Sequence, residues 1–269
     1  MLKSVVVSKQ ALASDDPYDL VYSNIQFVNL LMQQMVRGDE MVPASLQSYY
    51  VDYYLTQVNN GGFAQFVWNS HSITTDASRV LAGLEAIGAK RHLALFKDSM
   101  AKIETLGPER FEKFLQSELF GENPERDELG GNDDAFYALA EEEDIIELNS
   151  TWLRSLPGLV VVDKSELEAE ARRQAAPIPE DVREARRIEA HSDRPEYFKA
   201  VDALCEATGQ TLDRITAGDP AHRYKSEATV AWHFLTDQGH FYYVMDGSEI
   251  VMFNGSSNAE VIRITASWL

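Results

Sequence analysis

The apolar positions of this chain recur with two different periods, and the change of period divides it. Over the first two-thirds, large apolar residues fall three and four positions apart, the spacing that lines up one face of an α-helix. In YDLVYSNIQFVNLLMQQMVRG the stripe is Val21, Ile25, Val28, Leu31, Met32 and Met35, and Gly38 supplies a stop. PASLQSYYVDYYLTQV repeats the pattern through Leu46, Tyr50, Tyr53, Tyr54 and Val58, with Pro43 suited to a first turn. Asp76 is placed to cap a helix that sets Val80, Leu84 and Ile87 on one face. After Gly88 the stripe is Leu93, Phe96, Met100 and Ile103, and Pro108 opens ERFEKFLQSELF, which ends at Gly121. GENPERDELGGN reads as a loop, followed by Asp133 as the cap of DAFYALAEEEDIIELNSTWL, a helix with a break near Asp144.

From Ala228 the period is two. ATVAWHFLTD, HFYYVMD, EIVMFN and EVIRITA are β-rich runs joined by QG, DGS and NGSSNA, which predicts a four-stranded antiparallel meander. The amphipathic helix EYFKAVDALCEATG precedes the meander and covers it. Between the two regions, LVVV reads equally as a short strand or as the end of the helical part. KSELEAEARRQAAPIPEDVREARRIEAHSDRP has almost no large apolar residues and is broken by Pro177 and Pro179. The fold class is therefore α+β. We expect an all-helical domain over 1–157, an exposed helical linker over 158–194 and a C-terminal α+β module over 195–269.

The 269 residues are 45% hydrophobic, a globular level. No run approaches the roughly 18 apolar residues of a membrane span, and the early VVV is too short for a signal-peptide core. The expected location is cytoplasmic. Cys205, the single cysteine, falls on the apolar side of a helix and reads as buried filler.

Net charge is −19 and unevenly spread. Residues 98–150 hold 16 acidic and 4 basic side chains, so about a fifth of the chain carries most of the excess. This argues against direct binding to nucleic acid, which needs a basic footprint, and against anionic membranes. It favours a basic protein partner. A purely solvated acidic face is the alternative.

Candidate chemistry is sparse. The six histidines (His71, His92, His191, His222, His233, His240) include no pair at helical metal-ligand spacing, so no metal or cofactor is expected. With a two-residue turn at Gln238-Gly239, His233 would face Val244 rather than His240. NNGGF lacks the spacing and lysine of a phosphate loop, and no GxSxG or SxxK occurs. Asp52, among YYVDYY, is the best carboxylate near aromatics, but on a helix it is expected on the wet edge. The EEED run is expected to be exposed and mutually solvated. We expect no enzymatic activity.

VNNGGFAQFVWNS, from Val58 to Ser70, reads as a corner between two helices. Asn59, Asn60 and Gly61 tolerate a left-handed helix end. Gly62 permits close approach, while Phe63, Phe66 and Val67 face the core and Asn69 stops the second helix. The amides of Asn59, Asn60 and Gln65 are candidates to satisfy the open backbone groups. The same residues, with a polar pocket beside Trp68, are where a small-molecule site would sit.

LTQVNNGGFAQFVWNS, LAGLEAIGAKRHLALF and DDAFYAL together resemble a bacterial domain family, otherwise uncharacterised, whose named member is a DNA-mimic protein. The likeness covers about 20–157. Where that family often carries an acid before VNNGG, this chain has Gln57. The resemblance implies an all-helical domain, dimers, no enzymatic activity, and an acidic surface that occupies the DNA-binding face of a regulator. Helical positions three or four apart lie roughly 5–6 Å from each other, close to phosphate spacing along a strand. Glu118, Glu122, Glu125, Asp127, Glu128, Asp133, Asp134, Glu141, Glu142, Glu143, Asp144 and Glu147 are the candidate row, interrupted only by Arg126. The linker arginines, Arg172, Arg173, Arg183, Arg186 and Arg187, are placed to fold back and cover it. Three readings follow: an acidic interaction protein acting as a DNA mimic on a DNA-binding regulator, an immunity or antitoxin protein covering a basic toxin such as a nuclease, and a small-molecule-binding module.

Overall fold

The computed structural model describes residues 4–70, 72–117 and 121–266. The chain divides into two compact units, Met1–Arg183 and Glu184–Leu269.

The first unit is built on helices whose starts and stops are written locally. After strand β1 (Val6–Ser8) and helix α1 (Lys9–Leu12), helix α2 (Pro17–Gln33) begins at Asp16, whose carboxylate accepts the Tyr18 N–H, with Pro17 in its first turn. Helix α3 (Pro43–Asn69) is followed by α4 (Ile73–Ile87), capped by Ser72 and closed by Gly88 in the left-handed region. Asp76, expected as that cap, instead sits one turn inside and is buried. Helix α5 (Lys90–Leu115) joins the two helices expected on either side of Pro108 and bends at Gly107, whose φ is 77°. Short helices α6 (Pro124–Leu129) and α7 (Asp133–Leu139) lead to α8 (Ile145–Ser155), strand β2 (Val160–Val162) and helix α9 (Leu167–Ala175).

Two expectations for this region need correction. The unit is not all-helical, because β1 and β2 pair in parallel, Val6 opposite Val160. Both strands are only three residues long, too short to show a period, and their partners lie over 150 residues apart. Nor is 158–194 uniformly an exposed linker. Leu167, Ala171 and Ala175 of α9 are buried against Phe27, Val28 and Leu31 of α2. Alanines at four-residue spacing leave a face smooth enough to pack closely, but they carry little hydrophobic signal. Arg172, Arg173, Arg183 and Arg187 each pair with a glutamate three or four residues away on their own helices.

The main core gathers where α3, α4, α5 and α7 meet. Tyr54 stands at its centre, edge-on to Phe96 (4.8 Å between ring centroids), Phe136 (5.4 Å) and Phe66 (5.6 Å). Such pairs contribute about 0.5–1.5 kcal/mol each beyond their buried area.

The second unit begins within helix α10 (Glu180–Ser192) and continues with α11 (Glu196–Thr208). A five-stranded antiparallel sheet follows, in sequential order: β3 (Leu212–Tyr224), β4 (Glu227–Thr236), β5 (Gly239–Asp246), β6 (Glu249–Asn254) and β7 (Glu260–Thr265). The predicted meander has four strands, and β3 is the addition. Its alternation is hidden by Gly218 and Pro220 and by irregular register at three points along β4. One sheet face, with Phe234, Phe241, Tyr243, Ile250 and Met252, packs under Val201, Leu204 and Cys205 of α11. Over the other face, Tyr224 at the end of β3 reaches Phe253 of β6 and bonds Arg263 of β7.

The β4–β5 turn also sits one residue earlier than expected, with Thr236 opposite Gly239. His233 therefore faces Tyr242 and is the diagonal neighbour of His240. Their Nδ1 and Nε2 atoms are 3.1 Å apart.

Candidate functional site: the glycine break and the acidic segment

The stretch Val58–Ser70 is one helix broken in the middle. At Gly61 and Gly62 the backbone leaves helical geometry, and Gly62 has a φ of 78°. A break of this kind removes the bonds that would have joined amides after it to carbonyls before it, leaving buried polar groups without partners. Helix α7 supplies both replacements. Asp133 Oδ1 accepts the Phe63 N–H at 2.9 Å, and the Tyr137 hydroxyl donates to the Val58 carbonyl at 3.0 Å. Asp133 and Tyr137 are four residues apart, so they share a face of α7, and Phe136 between them packs on Tyr54.

This arrangement explains the second glycine. A Cβ on Gly62 would lie 2.1 Å from Asp133 Oδ2. The carboxylate fills the space that a side chain would take. Burial pushes the Asp133 carboxyl up, opposed by the bond from Phe63.

The amides named as candidate partners of the break lie elsewhere. Asn59 and Asn60 are exposed, and Gln65 donates to Gln57 Oε1 at 3.0 Å. Asn69 donates to the same oxygen at 2.7 Å. Gln57 thus presents an oxygen to two amides, as a carboxylate at that position would.

The acidic segment is organised by the same logic. Of the EEED run, Glu141, Glu142 and Asp144 are exposed as expected, and Glu143 is partly buried. Glu143 caps α5 from about fifty residues away: Oε1 accepts the Arg91 N–H at 3.1 Å, and Oε2 accepts the His92 N–H at 2.9 Å and lies 2.8 Å from His92 Nδ1. Burial alone would raise the Glu143 carboxyl; the two amides and the imidazole overcome it and hold it below the usual range. Asp144 caps α8 by accepting the Ile146 and Glu147 N–H groups. Glu125 is only 6% exposed and takes Lys113 at 3.0 Å and Arg110 at 3.4 Å. The Lys113 bond is the main reason its carboxyl is held low.

The twelve candidate carboxylates thus separate into groups. Glu118 lies outside the described residues. Glu125, Asp133, Glu143 and Asp144 bind backbone or buried partners. Asp127, Glu128 and Glu142 pair with Arg126, Arg110 and Arg91. Glu122, Asp134, Glu141 and Glu147 are exposed and have no ion-pair partner among the described residues. Counting only Arg126 as a counter-charge misses Arg91, Arg110 and Lys113, which α5 brings in from another part of the chain.

A cleft of about 220 Å³ lies between the break and this segment, lined by Leu55, Asn59, His92, Phe136, Glu143 and Asp144. His92 is 1% exposed and structural, and no local pattern in the sequence marks it. Asp52 is not on the wet edge. It is half-buried, and burial pushes its carboxyl up to about 6, against the bond from Thr56.

Among the described residues, no helix is long and apolar enough to cross a membrane. Residues 39–156 match the model of the DMP19-like protein family. The glycine break and the described part of the acidic segment both fall inside the match. No curated protein and no solved structure matches the chain.

Proposed function

We propose that the helical unit is a non-enzymatic interaction module that occupies the basic, DNA-binding surface of another protein. The family match carries this reading, since the family is that of a DNA mimic protein. The distribution of carboxylates supports it. Glu122, Asp134, Glu141 and Glu147 project without counter-ions among the described residues, from a segment otherwise pinned by backbone-bound acids. Pinning matters because a mimic must hold charge at fixed spacing, and a partner then loses less entropy on docking.

The test separates surface acids from structural ones. The partner is captured from host lysate on the immobilised chain and eluted in rising salt, then competed with duplex DNA. The variant E122Q/D134N/E141Q/E142Q/E147Q, which leaves Glu125, Asp133, Glu143 and Asp144 in place, is expected to release a DNA-binding protein at least tenfold more readily, about 1.4 kcal/mol. Unchanged retention would reduce the acidic segment to a solvated face. Retention of a single nuclease insensitive to DNA would favour the immunity reading. Dimer formation, which the family resemblance implies, is read by sedimentation of the same sample.

A further inference from the structure

Beneath α11, on the helix-covered face of the sheet, lies a pocket of about 360 Å³ that the acidic-surface reading does not use. Its walls are Tyr197, Trp232, Tyr243, Met245 and Ile250, and exposed Glu196 also lines it. The Trp232 ring lies against Gly218, where a Cβ would fall 3.0 Å from Cζ3, and the Tyr197 ring stacks on it at 4.0 Å and 8°. Tyr243 is 2% exposed, and among the described residues Glu196 is the one charged side chain lining the pocket.

These features restrict the occupant. The walls are apolar and aromatic, so a guest needs an apolar body. The single wall charge is negative, so an anion is repelled. Burial and the charge of Glu196 both push the ionisation of the Tyr243 hydroxyl up. A planar, weakly hydrated cation satisfies all of these conditions at once, because it can lie along aromatic rings while bonding a carboxylate. The volume falls at the lower end of the roughly 300–1,000 Å³ range of small-ligand sites. We propose that this pocket binds a guanidinium carried on a short alkyl stem, either as a free alkylguanidine or as an arginine side chain of a peptide.

The experiment titrates the full chain, by ligand-observed NMR, with butylguanidinium, with its neutral analogue butylurea, and with a blocked Gly-Arg-Gly peptide. Butylguanidinium is expected to bind saturably and about tenfold more tightly than butylurea. Glu196→Gln, an exposed position, is expected to remove most of that preference without changing the circular dichroism. Tyr197→Leu, which keeps apolar cover over Trp232, is expected to weaken the cation more than the urea. Peptide binding as tight as that of the free cation identifies a side chain as the source, and exclusion of the peptide identifies a free small molecule. Equal binding of butylurea, no saturation with either cation, or full affinity in Glu196→Gln would overturn the proposal.

Discussion

Two clusters of carboxylates, one in each unit, find different partners. In the helical unit, Asp133, Glu143 and Asp144 accept backbone N–H groups at helix starts or at the break in α3. In the sheet unit, Asp246, Glu249 and Glu260 converge on one guanidinium, that of Arg263. The difference follows from the backbone. A helix leaves its first amides unpaired and positive, so acids near them are drawn into capping. Neighbouring strands satisfy each other's amides, which leaves the acids around Arg263 to pair with a side chain. Acidic residues in a helical protein are therefore not surface charge by default.

The largest expected effect contrasts one glycine from each unit. Gly62→Ala places a methyl group 2.1 Å from the Asp133 carboxylate, at a φ of 78°. We expect a loss of about 3 kcal/mol or more in the helical unit, from strain and from the stranded Phe63 amide. Gly247→Ala, with a φ of 64° but open space around it, is expected to cost only about 1–2 kcal/mol in the sheet unit. Urea unfolding of the full chain, followed by hydrogen exchange in each unit, measures both. Equal losses would show that Asp133 is not fixed in the break.

A smaller effect concerns Asp52. Its carboxyl titrates near 6 in the folded chain, against 3.8 ordinarily. The folded state therefore binds the proton more tightly, and stability falls as pH rises from about 4 to 6. Asp52→Asn is expected to stabilise the helical unit at pH 7 by about 1–3 kcal/mol and to have no such effect at pH 4. A substitution that is neutral at both values would place Asp52 in water.

The smallest effect has the opposite sign and belongs to the sheet unit. Burial, and then the neighbouring charge of His240, hold His233 below the ordinary histidine value of 6.5. Its contribution is complete above pH 6.5 and is lost as pH falls through the folded value. Acidification from pH 7 to 5 should thus weaken the sheet unit, and His240→Gln should reduce that sensitivity. Exchange rates near Tyr242 that stay constant over this range would remove the histidine pair from the account.

The places of most helices, the alternation of β4–β7 and the concentration of charge between residues 98 and 150 are legible in the sequence. Each of these is a local or compositional signal, readable within a window of one element. Tertiary structure alone decided which acids are free. Asp133 reaches an amide 70 residues away and Glu143 one 51 residues away, and neither separation leaves a periodic trace. The same limit hid β3, whose bulges break its alternation, and the β1–β2 pair, whose strands are too short to have a period. In the DDAFYAL and NNGGF motifs the two levels meet. Their joint presence is visible in the sequence, but its cause, a carboxylate seated where a glycine has no side chain, appears only when the chain is folded.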